Sequence, residues 1–354
     1  MTDFKPSSKK NNYVHKFDLH GHKGGIIEMA MKDDGRWLAS AGTPFMSSSR
    51  TLSELNPAQD GLKIWDLEIN HLVLVPRTSN GGRVGPRKCL AEQRSVRWHC
   101  EGSYSVLGVG VVGGKSFGVQ ISAQSDFMEK NTFKFVEKWY LTLNQPDPQE
   151  VTAMAYDNSS HRLTVCTRSG FCIVFRFLPE KAQLDFLYRI TLADGGISMI
   201  PKAAAFGQLV ENERDLTVFS LYSGDVTTYR GPDCDLISEW NVGGLIGDGV
   251  IRGSSHFLID EPAIGAVLYR FEDRARIAAF PVPVRRKKRA RKVAFAEEGK
   301  LVVSGSDHGV VYVFDRMGEN PEPFDELQVD ASKWVQTVLV RSSSDLGSWD
   351  SWAA

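Results

Sequence analysis

The sequence lacks several features that would place it in a membrane or outside the cell. No window offers about 18 consecutive apolar residues, and the first residues, MTDFKPSSKKNNYVHKF, have no apolar signal core. The sequence also lacks an excess of positive or negative charge, because the formal net charge is only −1. The five cysteines, an odd number, fit reduced thiols better than a disulfide framework. These absences predict an intracellular protein, cytoplasmic or nuclear, with no membrane span.

Enzyme signatures are absent as well. The stretch 109–118, VGVVGGKSFG, is similar to a phosphate-binding loop, but Val109 stands where that motif needs its leading glycine. No His-Glu-x-x-His, Gly-x-Ser-x-Gly or kinase signature is present, and no second Cys/His pair joins Cys166 and Cys172 as metal ligands. We therefore expect no catalytic residue, no cofactor and no metal site.

What the sequence does contain is a series of short apolar or alternating runs bounded by Gly, Asp, Asn and Pro. Few stretches have a long period of 3.6 residues, so the runs predict strands of an all-β, mainly antiparallel protein. Grouping the runs in fours predicts seven innermost strands. These begin near Ile26, Val96, Val151, Ala203, Gly249, Val293 and Val335.

Two of these groups are internal repeats. Shifting residues 21–66 by 264 positions aligns Gly35 with Gly299 and Ser40 with Ser304. The two copies differ in length between their second and third strands. Ser40 and Trp65 are separated by 25 positions, whereas Ser304 and Phe314 are separated by 10, so the first copy carries an insertion of 15 residues in 43–59.

The repeated residues resemble the WD repeat. The family combines a Gly-His pair, a hydroxyl residue on the second strand, an Asp in the next turn and a terminal Trp-Asp. Its His, Ser, Asp and Trp form a buried hydrogen-bonded chain, in which every polar group must find a partner. The first copy has His22, Ser40, Asp60 and Trp65. The second keeps Ser304, Asp307 and Phe314 but lacks the His, so its chain is expected to be incomplete.

The resemblance implies a seven-bladed WD-repeat β-propeller over 13–340, with an N-terminal tail at 1–12 and an irregular C-terminal tail at 341–354. The chain is also similar to an expanded group of fungal WD-repeat proteins without an assigned activity. Residues 13–19 are expected to close the ring as the outer strand of the last blade. The two middle strands of that blade have no clear source, so it is expected to be incomplete, through truncation, alternative splicing or a makeshift strand from DLGSWDSW.

A basic run stands out against this neutral background. Residues 285–292 contain seven cations in eight positions, in the predicted connection from one blade's outer strand to the next blade's inner strand. A second basic loop precedes the inner strand near Val96, and the serine-rich insertion 43–59 is expected on the same face. Because loops on a rigid scaffold carry recognition, we predict a site for an anionic partner or import carrier. Its residues are Arg285, Arg286, Lys287, Lys288, Arg289, Arg291, Lys292, Arg83, Arg87 and Lys88.

The sequence therefore favours a non-enzymatic scaffold, a monomer that binds other proteins within a complex. Three alternatives stay open. The basic run can be an ordinary solvated loop, or a nuclear-import signal of a factor that contacts anionic partners. The central channel can also hold an enzyme site or a small molecule. Nucleic acid is not the expected partner, because no aromatic residues are interleaved with the basic run and the total charge is neutral.

Overall fold

The chain folds into antiparallel sheets, with one short 3-10 turn at Glu297–Gly299 as the helical element of the described residues. The computed structural model describes residues 18–22, 25–31, 36–42, 62–74, 92–101, 104–112, 118–125, 136–142, 151–157, 159–178, 183–192, 199–210, 212–318, 320–341 and 350–353. Of the strands between 92 and 142, only the backbone is described. The chain divides into two compact units, one formed by 17–197 and the other by 1–16 with 198–354.

The unit formed by 17–197 contains three four-stranded sheets. Sheet 1 consists of β1 (Ile26–Met31), β2 (Trp37–Gly42), β3 (Leu62–Asp66) and β4 (His71–Leu74). Sheet 2 consists of β5 (Glu92–Glu101), β6 (Tyr104–Val112), β7 (Gly118–Ser125) and β8 (Val136–Thr142). Sheet 3 consists of β9 (Val151–Asp157), β10 (Arg162–Thr167), β11 (Phe171–Leu178) and β12 (Gln183–Thr191).

The second unit contains three further four-stranded sheets and a smaller one. Sheet 4 consists of β13 (Pro201–Val210), β14 (Glu213–Ser220), β15 (Asp225–Tyr229) and β16 (Leu236–Asn241). Sheet 5 consists of β17 (Asp248–Arg252), β18 (His256–Glu261), β19 (Gly265–Arg270) and β20 (Arg276–Pro281). Sheet 6 consists of β21 (Val293–Ala296), β22 (Leu301–Ser304), β23 (Val310–Asp315) and β24 (Asp325–Gln328). Sheet 7 pairs β25 (Val338–Arg341) with β26 (Asp350–Ala353).

The four-stranded sheets are up-and-down meanders, in which each strand pairs with the next along the chain. Within each unit, the first strand of one sheet contacts the first strand of the next: β1, β5 and β9 in one unit, and β13, β17, β21 and β25 in the other. This is the arrangement of blades in a β-propeller. The all-β prediction is therefore confirmed, and the predicted innermost strands coincide with the first strands of the sheets.

The blade count differs from the predicted seven. Five four-stranded blades, sheets 1, 3, 4, 5 and 6, are described with side chains, while sheet 2 is described as backbone and sheet 7 has two strands. The seventh inner strand begins at Val338, three residues after the predicted Val335. Part of the expected irregular tail, Asp350–Ala353, is a strand, because its backbone groups pair with those of β25. Of residues 13–19, only 18 and 19 are described, and they are not in a strand.

Burial follows the position of a strand within its blade. The second strand β10 is buried at every residue and β14 along most of its length, whereas the fourth strand β16 is mostly exposed and β20 is exposed at half of its residues. The middle strands have neighbouring strands on both sides and packed sheets on both faces, so their sequences are nearly continuous apolar runs. Between sheets 5 and 6, Leu258 and Leu268 pack with Val302, Tyr312 and Phe314. This core supports the loop between those two sheets.

Candidate functional site

The first repeat places its polar residues in one buried chain of hydrogen bonds. His22 Nε2 lies 2.7 Å from Ser40 Oγ, and Trp65 Nε1 donates to the same oxygen at 2.8 Å. Ser40 and Trp65 are buried on β2 and β3, and His22 precedes β1. A single hydroxyl thus ties three segments of sheet 1 together. Asp60, the fourth predicted member, lies outside the described residues.

We expect Ser40→Ala to lower the free energy of unfolding by about 1–3 kcal/mol, because the buried indole N–H of Trp65 loses its acceptor. Ser304 occupies the aligned position in the second repeat, but among the residues that the structure describes its hydroxyl donates only to the neighbouring Gly305 carbonyl, at 3.2 Å. Ser304→Ala is therefore the matched control, with an expected loss below about 1 kcal/mol. Urea unfolding of both variants measures the difference, and equal losses would contradict the assignment.

The second repeat builds a different buried chain. His308 Nδ1 lies 2.7 Å from Asp307 Oδ1, and His308 Nε2 lies 2.8 Å from the Tyr312 hydroxyl. All three residues are buried. Phe314 replaces the tryptophan and packs against Phe280 and Tyr312 without a polar role. His308 follows Asp307 in the SDHG turn and does not align with His22, so it is not the histidine of the repeat, and no sequence motif marked it.

Asp307 also holds the start of the basic loop, defined as residues 285–292. The backbone N–H groups of Arg285, Arg286 and Lys287 donate to its carboxylate, at N···O distances of 3.2, 2.5 and 2.7 Å. Burial alone would raise the pKa of Asp307. The hydrogen bonds from His308 and these three N–H groups outweigh it and hold that pKa well below its usual range. The first part of the loop is therefore fixed through its backbone.

The end of the basic loop is fixed by buried charge. Arg291 Nη2 lies 2.8 Å from Asp260 Oδ1, and the Arg291 backbone N–H donates to Asp260 Oδ2 at 2.8 Å. Burial raises the pKa of Asp260 to about 7, against the charge and hydrogen bonds of Arg291, which lower it. Lys292 Nζ lies 3.1 Å from Asp248 Oδ1.

These contacts show where two residues of the predicted site lie. Arg291 was predicted to meet a partner, but its side chain is only 2% exposed and paired with a carboxylate that is fully buried. Lys292 is likewise held against sheet 5 by Asp248. Asp248 and Asp260 were missed because they lie at strand positions more than 30 residues before their partners, with no local motif to mark them.

Two exposed members of the basic loop are held to the segment before β25. The Arg286 guanidinium donates to the carbonyls of Ser332 and Ala331 at 2.7 and 2.8 Å. Arg289 places its guanidinium carbon 4.7 Å from the centre of the Trp334 ring, within the range of a cation–π contact. The middle of the loop thus rests on a second chain segment and does not extend freely into solvent.

Three cations of the loop remain available to a partner. The side chains of Arg285, Lys287 and Lys288 are exposed, and none forms an ion pair within the part of the chain that the structure describes. Residues 282–292 connect β20 to β21, so the loop joins the outer strand of one blade to the inner strand of the next, as predicted. The other predicted cations, Arg83, Arg87 and Lys88, and the serine-rich insertion lie outside the described residues.

No family assignment accompanies this geometry. The chain matches no protein-family model, and no curated protein is significantly similar to it in sequence. Among the residues that the structure describes, there is no helix with the length and apolar character of a membrane span. A functional assignment therefore depends on the residues of the basic loop and of the repeats.

Proposed function

We propose that this chain is a WD-repeat β-propeller protein that acts as a non-enzymatic interaction platform. It binds an acidic segment of another protein through Arg285, Lys287 and Lys288. The WD-repeat assignment is supported by the shared hydroxyl of Ser40, which joins His22 to Trp65. We further propose that the protein works inside the cell, as a monomer within a complex.

The anchoring of the basic loop is the observation that carries this proposal. Asp307 holds its first residues, Trp334 and two carbonyls hold its middle, and Asp260 holds its end. A loop that is ordered before binding loses little conformational entropy when a partner arrives. The three free cations are therefore presented at fixed positions, which favours recognition.

The same contacts disfavour an import carrier or a nucleic acid as the partner of the loop. A carrier or nucleic acid that engaged the whole run would have to remove Arg291 from a buried ion pair, at a large cost in free energy. With Lys292 also paired, the exposed part of the run is shorter than the sequence suggests. Three neighbouring cations match a short run of Asp or Glu side chains in a protein.

The test measures binding of a fluorescein-labelled Glu-rich peptide by anisotropy at low salt. We expect the triple variant Arg285→Gln, Lys287→Gln, Lys288→Gln to weaken binding roughly tenfold or more, because each exposed ion pair contributes a few tenths of a kcal/mol to 1 kcal/mol. The affinity of the wild-type protein should also fall as salt is added.

The matched control removes the same charge elsewhere. Arg274, Arg276 and Lys300 are exposed cations outside the basic loop, so the variant with all three changed to Gln has the same net charge as the loop variant. We expect it to bind the peptide like wild type. An equal loss in both triple variants would mean that only net charge matters, and it would overturn the proposed site.

A further inference from the structure

A second group of cations lies at the opposite end of sheets 5 and 6 from the basic loop. The basic loop leads into the start of β21, whereas the turn Glu297–Gly299 follows its end. Arg252, at the end of β17, and Arg316, just after β23, both reach this turn. Arg316 Nε donates to the Gly299 carbonyl, and a β-carbon added at Gly299 would overlap the Arg252 guanidinium. Two guanidinium groups therefore meet at one glycine.

His256 extends this group across the sheet. It is paired in register with Arg252, so the two side chains lie on the same face of sheet 5. Its Nδ1 lies 2.7 Å from the Ser255 hydroxyl. Burial lowers the pKa of His256, and the charges of Arg316, Arg270 and Arg252 lower it further. The positive charges of three arginines thus act on the His256 imidazole.

Charge at this place is poorly balanced. Arg270 has a carboxylate partner, since Asp273 accepts two hydrogen bonds from it at 2.7 and 2.9 Å. Arg252, His256 and Arg316 form no ion pair within the described part of the chain. Burial lowers the pKa of Arg316, and the neighbouring charge of Arg252 lowers it further. Like charges that meet without a counter-charge destabilise the fold unless an anion joins them.

We propose that Arg252, Arg316 and His256 form a binding site for a phosphate group. Two guanidinium groups present planar sets of N–H donors, which bind the oxygens of phosphate in pairs. One carboxylate would satisfy one guanidinium and leave the second charge uncompensated, whereas the charge of a phosphate dianion matches both. The absence of a side chain at Gly299 makes room for the Arg252 guanidinium beside the turn. The site is separate from the basic loop and does not depend on the proposed function.

The experiment titrates inorganic phosphate into the protein by calorimetry at low salt and neutral pH. We expect one bound phosphate, and a loss of at least about tenfold in affinity for Arg252→Gln, because a charge-assisted hydrogen-bonded pair is removed. Arg252 forms no ion pair in the described structure, so this variant should melt no lower than wild type without phosphate. Lys333→Gln, which removes an exposed cation outside both proposed sites, is the matched control and should bind phosphate like wild type.

A second measurement needs no variant. Phosphate should move the imidazole NMR signals of His256 and leave those of the buried His308 unchanged. O-phosphoserine then identifies the source: tighter binding than inorganic phosphate indicates a phosphorylated protein, and weaker binding indicates the free ion, and either supports the site. Absence of binding, or equal affinity in wild type and Arg252→Gln with unmoved His256 signals, would overturn the proposal.

Discussion

Asp260→Ala is expected to lower the free energy of unfolding by about 3–5 kcal/mol, because it leaves the Arg291 guanidinium buried without its carboxylate. The side chain of Asp260 also accepts the backbone N–H of Arg291 at 2.8 Å, so the end of the basic loop loses a backbone anchor at the same time. Urea unfolding at pH 7.5 measures the loss.

Removing the other partner should cost less. In Arg291→Met, the Asp260 carboxyl can avoid a buried charge by taking up a proton, and its pKa is already raised to about 7. The Arg291 guanidinium that Asp260→Ala leaves behind cannot become neutral in this way, because it stays protonated at any pH at which the protein is folded. We therefore expect the double variant, with no buried charge left, to be more stable than Asp260→Ala alone.

The exposed pair in the same sheet is the control for this asymmetry. Arg270 and Asp273 lie 2.7 Å apart at the surface. Asp273→Ala should change stability little, because solvent screens exposed ion pairs. If Asp260→Ala destabilised the protein no more than Asp273→Ala, the Arg291 ion pair would have no structural importance.

Asp307→Ala is expected to lower the free energy of unfolding by about 2–4 kcal/mol and to release the first half of the basic loop. Three backbone N–H groups and His308 lose one common acceptor, and hydrogen bonds to a charged group are stronger than neutral ones. Trypsin should then cut after Arg285, Lys287 or Lys288 faster than in wild type. Cleavage rates under native conditions, with unfolding free energies in parallel, measure both effects.

The pH dependence of the unfolding free energy, measured with urea, supplies an independent check. The pKa of Asp307 is lower in the folded than in the unfolded protein, where it is near 3.8. Its contribution to stability is therefore complete at neutral pH and is lost as the pH falls below about 4 towards the folded-state pKa. Asp307→Ala should remove this part of the acid dependence of stability, and the same acid dependence in wild type and variant would contradict the anchoring role.

Much of the fold could be predicted from sequence because its signals are local. Short apolar runs between turn residues predict strands, and the shared spacing around Ser40 and Ser304 predicts two repeats of one sheet. The position of the basic loop between β20 and β21 follows from the same alignment. Ser40 forms hydrogen bonds with His22 and Trp65, the residue types that the resemblance to the WD repeat predicts for this chain of hydrogen bonds.

The exposed part of the loop could not be predicted, because burial depends on contacts distant in the chain. Seven cations in eight positions look alike in sequence, yet Arg291 finds Asp260 in the preceding sheet while Lys288 stays in solvent. Whether a side chain of the loop is buried or exposed depends on how sheets 5 and 6 pack around it. His308 and Trp334 likewise gain their roles only when the strands that carry them meet the loop.

Backbone hydrogen exchange at Arg285, Arg286 and Lys287 tests the central claim, that the basic loop is a fixed structure with three free cations. If their N–H groups are held by Asp307, they exchange much more slowly in the native protein than in an unstructured peptide. Asp307→Ala should remove this protection while the amides of β22 and β23 stay protected. Exchange of the three loop amides at the rate of an unstructured peptide in the wild-type protein would contradict the account.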